Sequence, residues 1–170
     1  MKITIKDMVV IAIMTILICV CTIINIPYFS IPFTLQTFAI FLTLLTIGGK
    51  KGIVSIILYI VLGLIGLPVF SNGTTIFGPT GGYIVGFIFI GISYIIFEYI
   101  SSKIWIKLLS LIIGLFICYV FGVIWFYIVM GSDYSFWKIM MLCVVPYIIP
   151  DLVKLALAYI IGTKLKRIIN

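Results

Sequence analysis

Histidine does not occur in this sequence, and Asp and Glu together number 4. Charged residues make up 9% of the chain, against about 25% in an ordinary soluble domain. Several function classes go out with these absences. Cys19, Cys21, Cys118 and Cys143 all sit in apolar runs with no C-x-x-C spacing, so without histidine a zinc or haem centre has no ligand set. The cysteines read instead as small residues facing lipid or core. Gly48-Gly49-Lys50-Lys51-Gly52 has no glycine five positions before Gly49 and no Ser or Thr after Lys50, so it is not a phosphate-binding loop and the chain cannot hydrolyse ATP itself. The formal charge is +7, but the lysines come in small groups at the ends of apolar segments, without a basic face or a recognised module. That distribution argues against nucleic acid as a partner.

What remains is hydrophobic: 65% of the 170 residues, with a mean hydropathy of +1.45. No soluble core of this length could absorb that much apolar surface, so the solvent must be a bilayer. At about 20 residues per span the length accommodates about six helices. The expectation is an all-α integral membrane protein, a single domain over 1–170, multi-pass in its membrane. The N-terminal run Met8–Ile24 is longer than a signal-peptide core of about 7–15 residues and no A-x-A site follows. It reads as a retained first helix.

The spans are expected at about Ile5–Ile26, Phe33–Ile47, Ile53–Leu67, Gly82–Tyr99, Lys107–Met130 and Ile139–Gly162. Six spans put both termini on one side. Lys2, Lys6, Lys50, Lys51, Lys103, Lys107, Lys164, Lys166 and Arg167 then share that side and Lys138 alone takes the other, which makes the termini cytoplasmic by the positive-inside rule. Gly48–Gly52 reads as a turn carrying two positive charges, and Glu98 as a solvated helix end near Lys103. Ala12, Thr15, Cys19 and Thr22 form a stripe of smaller residues on the first helix. Such stripes let a neighbour approach closely, either within the bundle or as a docking face for a partner centred on Ala12 and Thr15. Gly78, Gly82 and Gly86, four apart, invite a close approach at the fourth span. The least apolar stretch, Pro68–Tyr83, faces outward and is long enough to be a binding loop.

Within the last span lie Asp151 and Lys154, an acid and a base three residues apart on a helix. A charge at the centre of a spanning helix costs about 2.5–3.5 kcal/mol on insertion scales. Pro150 is expected in the first turn of that helix, with Pro146 limiting the regularity of what precedes it. Counting back from Lys164 at about 1.5 Å per residue puts Asp151 roughly 20 Å above the inner boundary of a core about 30 Å thick. The outward loop begins on the same side, so the expectation is an outward-facing pocket capped by loops. Its candidate residues are Asp151, Lys154, Asn72, Tyr83 and Gln36 or Thr34. This set offers an anion, a cation, amides and a phenol, and neither metal ligands nor a nucleophile–base pair. Binding fits better than catalysis, with no cofactor; the alternatives are an integral-membrane enzyme using Asp151 as base and a structural Asp–Lys pair. Side chains pointing into solvent, or locked onto protein groups with no space beside them, would contradict a ligand site.

Ile31-Pro32-Phe33-Thr34-Leu35-Gln36-Thr37, Gly63-Leu64-Ile65-Gly66-Leu67-Pro68-Val69-Phe70, Gly78-Pro79-Thr80-Gly81-Gly82-Tyr83 and Asp151-Leu152-Val153-Lys154 together resemble BioY, the biotin-specific substrate-binding subunit (S component) of energy-coupling-factor (ECF) transporters. The resemblance implies a six-helix protein that captures biotin from outside. It would work with an EcfT-like transmembrane coupling subunit and two cytoplasmic ABC ATPases. The family's biotin-contacting aspartate and lysine match Asp151 and Lys154, its loop asparagine Asn72 and its tyrosine Tyr83. The family's alanine-x-x-x-alanine docking stripe is only half present, because Ile16 follows four residues after Ala12. The same scaffold serving another small vitamin is the second reading.

Overall fold

The computed structural model describes residues 4–26, 32–71, 75–130 and 134–169. It is a helical bundle: α1 (Ile5–Ile23), a two-residue hairpin of β1 (Asn25–Ile26) and β2 (Phe33–Thr34), α2 (Gln36–Ile47), α3 (Gly49–Leu64), α4 (Gly81–Ile100), α5 (Ile104–Met130), α6 (Phe136–Cys143) and α7 (Val145–Ile169). α6 and α7 are separated only by Val144, at φ −124° and ψ −58°, and form one broken sixth element. Four helical stretches are long and apolar enough to cross a membrane: Ile5–Ile23, Gly81–Ile100, Ile104–Met130 and Phe136–Lys166. Their outer faces carry exposed Ile, Val, Phe and Leu, such as Ile16, Ile96, Phe116 and Leu157, as a lipid-facing surface requires.

α2 and α3 differ. With 12 and 16 residues they are about 18 and 24 Å long, shorter than a hydrocarbon core of about 30 Å. α2 is nonetheless the innermost helix, with Ala39, Ile40, Phe41 and Leu44 fully enclosed. The outer part of its path is taken by the hairpin, pairing Asn25 with Thr34 and Ile26 with Phe33 in antiparallel register. Non-helical backbone at membrane depth is tolerated only when buried in protein or lining a polar cavity. The start of α2 at Gln36 therefore sets the level of the site.

Several boundaries depart from the sequence expectation. The first helix ends at Ile23, not Ile26, because Ile26 precedes Pro27 and a residue before proline is pushed towards extended backbone. The turn between α2 and α3 is a single residue, Gly48, at φ +81°, a conformation that favours glycine. Lys50 and Lys51 thus lie in the first turn of α3 and not in a loop. α5 begins at Ile104, which places Lys107 inside the helix and buried. Pro146, not Pro150, occupies the first turn of α7; Pro150 lies inside the helix, where its missing N–H leaves the Pro146 carbonyl without its ladder donor.

α4 and α5 pack closely because Gly82 and Gly86 do face a neighbour. A Cβ on Gly86 would lie 2.9 Å from the Cα of Cys118, and one on Gly82 would lie 2.5 Å from the Phe121 carbonyl oxygen. Gly78 stands outside this seam, its carbonyl accepting from Trp125 Nε1 at 3.0 Å. On α1 the small-residue stripe divides. Thr15 is buried and donates to the Ile11 and Ser55 carbonyls, at 2.9 and 3.3 Å, while Ala12 is exposed.

The basic end is real in three dimensions. Lys6, Asp7, Lys51, Glu98 and Lys166, from α1, α3, α4 and α7, border one cleft. Glu98 is not a solvated terminus beside Lys103: it accepts from Lys107 Nζ at 3.0 Å and from the Gly49 amide at 2.9 Å, closing the end of the bundle.

Candidate functional site: a buried charge pair beside a cavity

Asp151 and Lys154 sit on the inner face of α7, 3% and 5% exposed. They are withdrawn from solvent and joined by a 2.8 Å ion pair. Thr37, from the first turn of α2, donates its hydroxyl to Asp151 Oδ1 at 2.8 Å and accepts from Lys154 Nζ at 3.2 Å. Tyr119 of α5 donates to Asp151 Oδ2 at 2.6 Å. Both carboxylate oxygens are therefore satisfied, by one ammonium and two hydroxyls. The ammonium also lies 4.2 Å from the centre of the Phe33 ring, a cation–π arrangement worth about 0.5–2 kcal/mol. Phe33 in turn stacks on Tyr147, with centroids 6.5 Å apart and planes 22° from parallel.

This network comes from three helices and the hairpin, and each supplies its part for a local reason. Asp151 and Lys154 meet because i and i+3 share a helix face. Thr37 reaches them because α2 starts late, leaving its first turn at the depth of the pair. Phe33 is held over the ammonium by the pairing of β2 with β1.

Beside the pair lies a cavity of about 60 Å³, lined on its polar side by Thr34, Gln36, Thr37, Ser71, Thr80 and Tyr83 as well as the charged pair. That is room for a few water molecules at about 10–15 Å³ each. Space does exist next to the two charges, as a ligand site requires, but it is narrow. Gln36 and Tyr83 both border this cavity, as the sequence suggested, yet both are engaged: Gln36 Nε2 donates to the Tyr59 hydroxyl at 2.7 Å and the Tyr83 hydroxyl to the Cys143 carbonyl at 2.7 Å. Tyr83 thereby ties α4 to the break between α6 and α7. Asn72 lies outside the described residues. Thr37, Tyr119 and Phe33 were not singled out from the sequence as site residues.

No group of three or more His, Cys, Asp or Glu among the described residues could hold a metal ion. What the site offers is an acceptor, a cation, hydroxyls and aromatic walls, all inside a lipid-facing shell. These features define an integral membrane protein with a polar cavity between its helices.

The chain belongs to the BioY family, whose family model matches residues 1–170. A biotin transporter of Thermotoga maritima is 37% identical over 153 residues, 85% of this chain and 86% of that protein. A biotin transporter of Lactococcus lactis is 32% identical over 151 residues, 85% of this chain and 81% of that one. The crystal structure of the S-component for biotin from an ECF-type ABC transporter superposes with a TM-score of 0.80 at 25% identity, covering 95% of this chain and 91% of its own. Members of this family are substrate-binding components of transporters, so the chain is a transporter component and not an enzyme.

Proposed function

We propose that this chain captures biotin at the outer face of the bacterial plasma membrane, as the substrate-binding subunit of an ECF-type transporter. An EcfT-like coupling subunit and two cytoplasmic ABC ATPases supply the energy. The observation that carries the reading is the buried Asp151–Lys154 pair beside a cavity inside the helical bundle, in a chain whose relatives are named biotin transporters.

The chemistry matches the ligand. A ureido ring brings two N–H donors and a carbonyl, and a valerate tail brings a carboxylate. Asp151 accepts N–H donors, and Lys154 donates to a carbonyl or carboxylate oxygen. In the structure the Asp151 oxygens are held by the Thr37 and Tyr119 hydroxyls. An arriving ligand exchanges its own N–H groups for those O–H groups, so the carboxylate is never left bare in a dry site, where an unsatisfied charged group is costly. A cavity of about 60 Å³ is below the roughly 300–1,000 Å³ of ordinary ligand pockets, so binding widens it.

Equilibrium binding of biotin to the purified protein tests the proposal, with Asp151→Asn and Lys154→Ala measured alongside. Saturable binding by the wild type and its loss in both variants is the expected outcome. A wild type indifferent to biotin, or one preferring another vitamin in a competition panel, would refute it.

A further inference from the structure

The break between α6 and α7 takes from one carbonyl its helical donor. Pro146 has no N–H, and the Tyr147 amide, which an unbroken helix would send to Cys143, donates to the Val144 carbonyl at 2.9 Å. The Cys143 carbonyl is served instead from another helix, by the Tyr83 hydroxyl of α4 at 2.7 Å. Tyr83 is itself a fixed post. Its ring lies so close to α5 that a Cβ on Gly122 would fall 2.3 Å from its Cζ, and its carbonyl accepts from Cys118 Sγ at 3.5 Å. One hydrogen bond thus joins the close-packed α4–α5 pair to the broken element.

α6 itself buries little. Of its 8 residues, Ile139 and Cys143 are buried, while Phe136, Trp137 and Met141 are exposed. Cys143 also lines the cavity beside the charge pair. Leu115 and Tyr119 wall that cavity on one side and an apolar groove of about 570 Å³ on the other. The groove separates Phe116, Val120 and Ile124 of α5 from Phe136 and Met140 of α6 and from Val144 at the break. A cavity of about 60 Å³ has to widen before it takes a ligand, so some wall must give way. The α4–α5 seam is ill suited, because its helices already touch more closely than a Cβ at Gly82 or Gly86 would allow. α6 is well suited: it ends at a break, and the groove gives it room.

We propose that α6 is a hinged gate to the cavity, pivoting at Val144 into the groove and latched shut by the Tyr83 hydroxyl, so that Tyr83 is a positioning residue and not a ligand contact. Its use in admitting biotin rests on the capture proposed above; the hinge itself does not. Ligand binding breaks the latch, and the bound state keeps it open. Tyr83→Phe leaves the ring in its seat against Gly122 and removes the latch alone. Hydrogen exchange of the full, ligand-free chain in detergent should then quicken about five-fold over residues 140–147, the effect of one lost hydrogen bond, with α4 and α5 unchanged. Stopped-flow measurement should show Tyr83→Phe binding biotin about five-fold more tightly, all of it through faster association. Val120 lines the groove and not the cavity, so Val120→Phe takes up the room that α6 needs and should do the opposite, slowing association and weakening binding. A ligand contact at Tyr83 would give weaker binding through faster dissociation. That result overturns the proposal, as does exchange that is unchanged over 140–147 or that rises equally across α4 and α5, or a Val120→Phe variant that binds like the wild type. A wild type that ignores biotin defeats the capture reading alone, because the exchange experiment still decides whether the hinge exists.

Discussion

Two ends of the same bundle treat an ion pair in opposite ways. Away from the basic end, Lys154 and Asp151 keep side-chain exposures of 7% and 4%. At the basic end, Lys51 and Asp7 keep 36% and 19%. Water screens the second pair and forgives its imperfections. The first is shielded from bulk water, so its carboxylate oxygens take their donors from the protein. That is why Thr37, Tyr119 and Phe33 converge on it from α2, α5 and β2, while Asp7 has Lys51 and its own helix cap. Burial of a pair is weak evidence for stability, since desolvation can exceed the attraction gained. A network with this many members, beside a cavity, is better explained by use than by stability.

The largest expected effect breaks the dry pair. Lys154→Ala leaves Asp151 as an uncompensated buried charge, which costs about 3–5 kcal/mol. A double variant, Asp151→Asn with Lys154→Met, should recover most of that stability and still fail to bind biotin. Chemical or thermal unfolding in detergent, run beside the binding assay, checks both halves. An unfolding midpoint that does not move in the single variant would show that water reaches the pair and that the contrast between the ends is overstated.

Next comes Tyr119→Phe, which removes only the hydroxyl from Asp151 Oδ2. A hydrogen bond to a charged group is worth about 1.5–3 kcal/mol, so the stability loss should be clear but smaller. If biotin takes over that oxygen, bound ligand should narrow the difference between variant and wild type. An equal loss with and without biotin would place the ligand elsewhere.

The two ends also differed in how readily the sequence revealed them. Asp151 and Lys154 stand out because charge in an apolar run is costly, and the lysines of the basic end stand out because they all fall at helix ends. Thr37 and Tyr119 carry no such mark. A threonine in a first turn and a tyrosine in a 27-residue apolar helix are ordinary residues, and only the packing of α2 and α5 on α7 shows their purpose. Boundaries failed for a related reason. The apolar run of the first span continues through Ile24 and Ile26, so hydropathy does not register the change to strand that Pro27 imposes. Lys107 was read as a helix-start charge and is instead inside α5, because Ile104 and Trp105 already belong to the helix. The stripe on α1 was legible as a stripe, but spacing alone could not say that Thr15 turns inward to Ser55 while Ala12 faces out.

Smaller effects are expected at the basic end, and they separate its own two pairs. Glu98→Gln deprives Lys107, only 11% exposed, of its counter-charge, though the new amide oxygen can still accept from the Gly49 amide. The cost should be on the order of 1 kcal/mol and only mildly dependent on salt, because the ammonium is largely shielded from it. Asp7→Asn acts on a pair that water already screens, and Asn remains a good residue beside the Thr4 cap. It should move the unfolding midpoint least of all, and what shift there is should fade as ionic strength rises past a Debye length of about 8 Å. Unfolding both variants at low and high salt decides the matter. A salt-insensitive loss at Asp7 as large as that at Glu98 would mean that the Lys51 pair is structural, and that the two ends of the bundle are more alike than their exposure suggests.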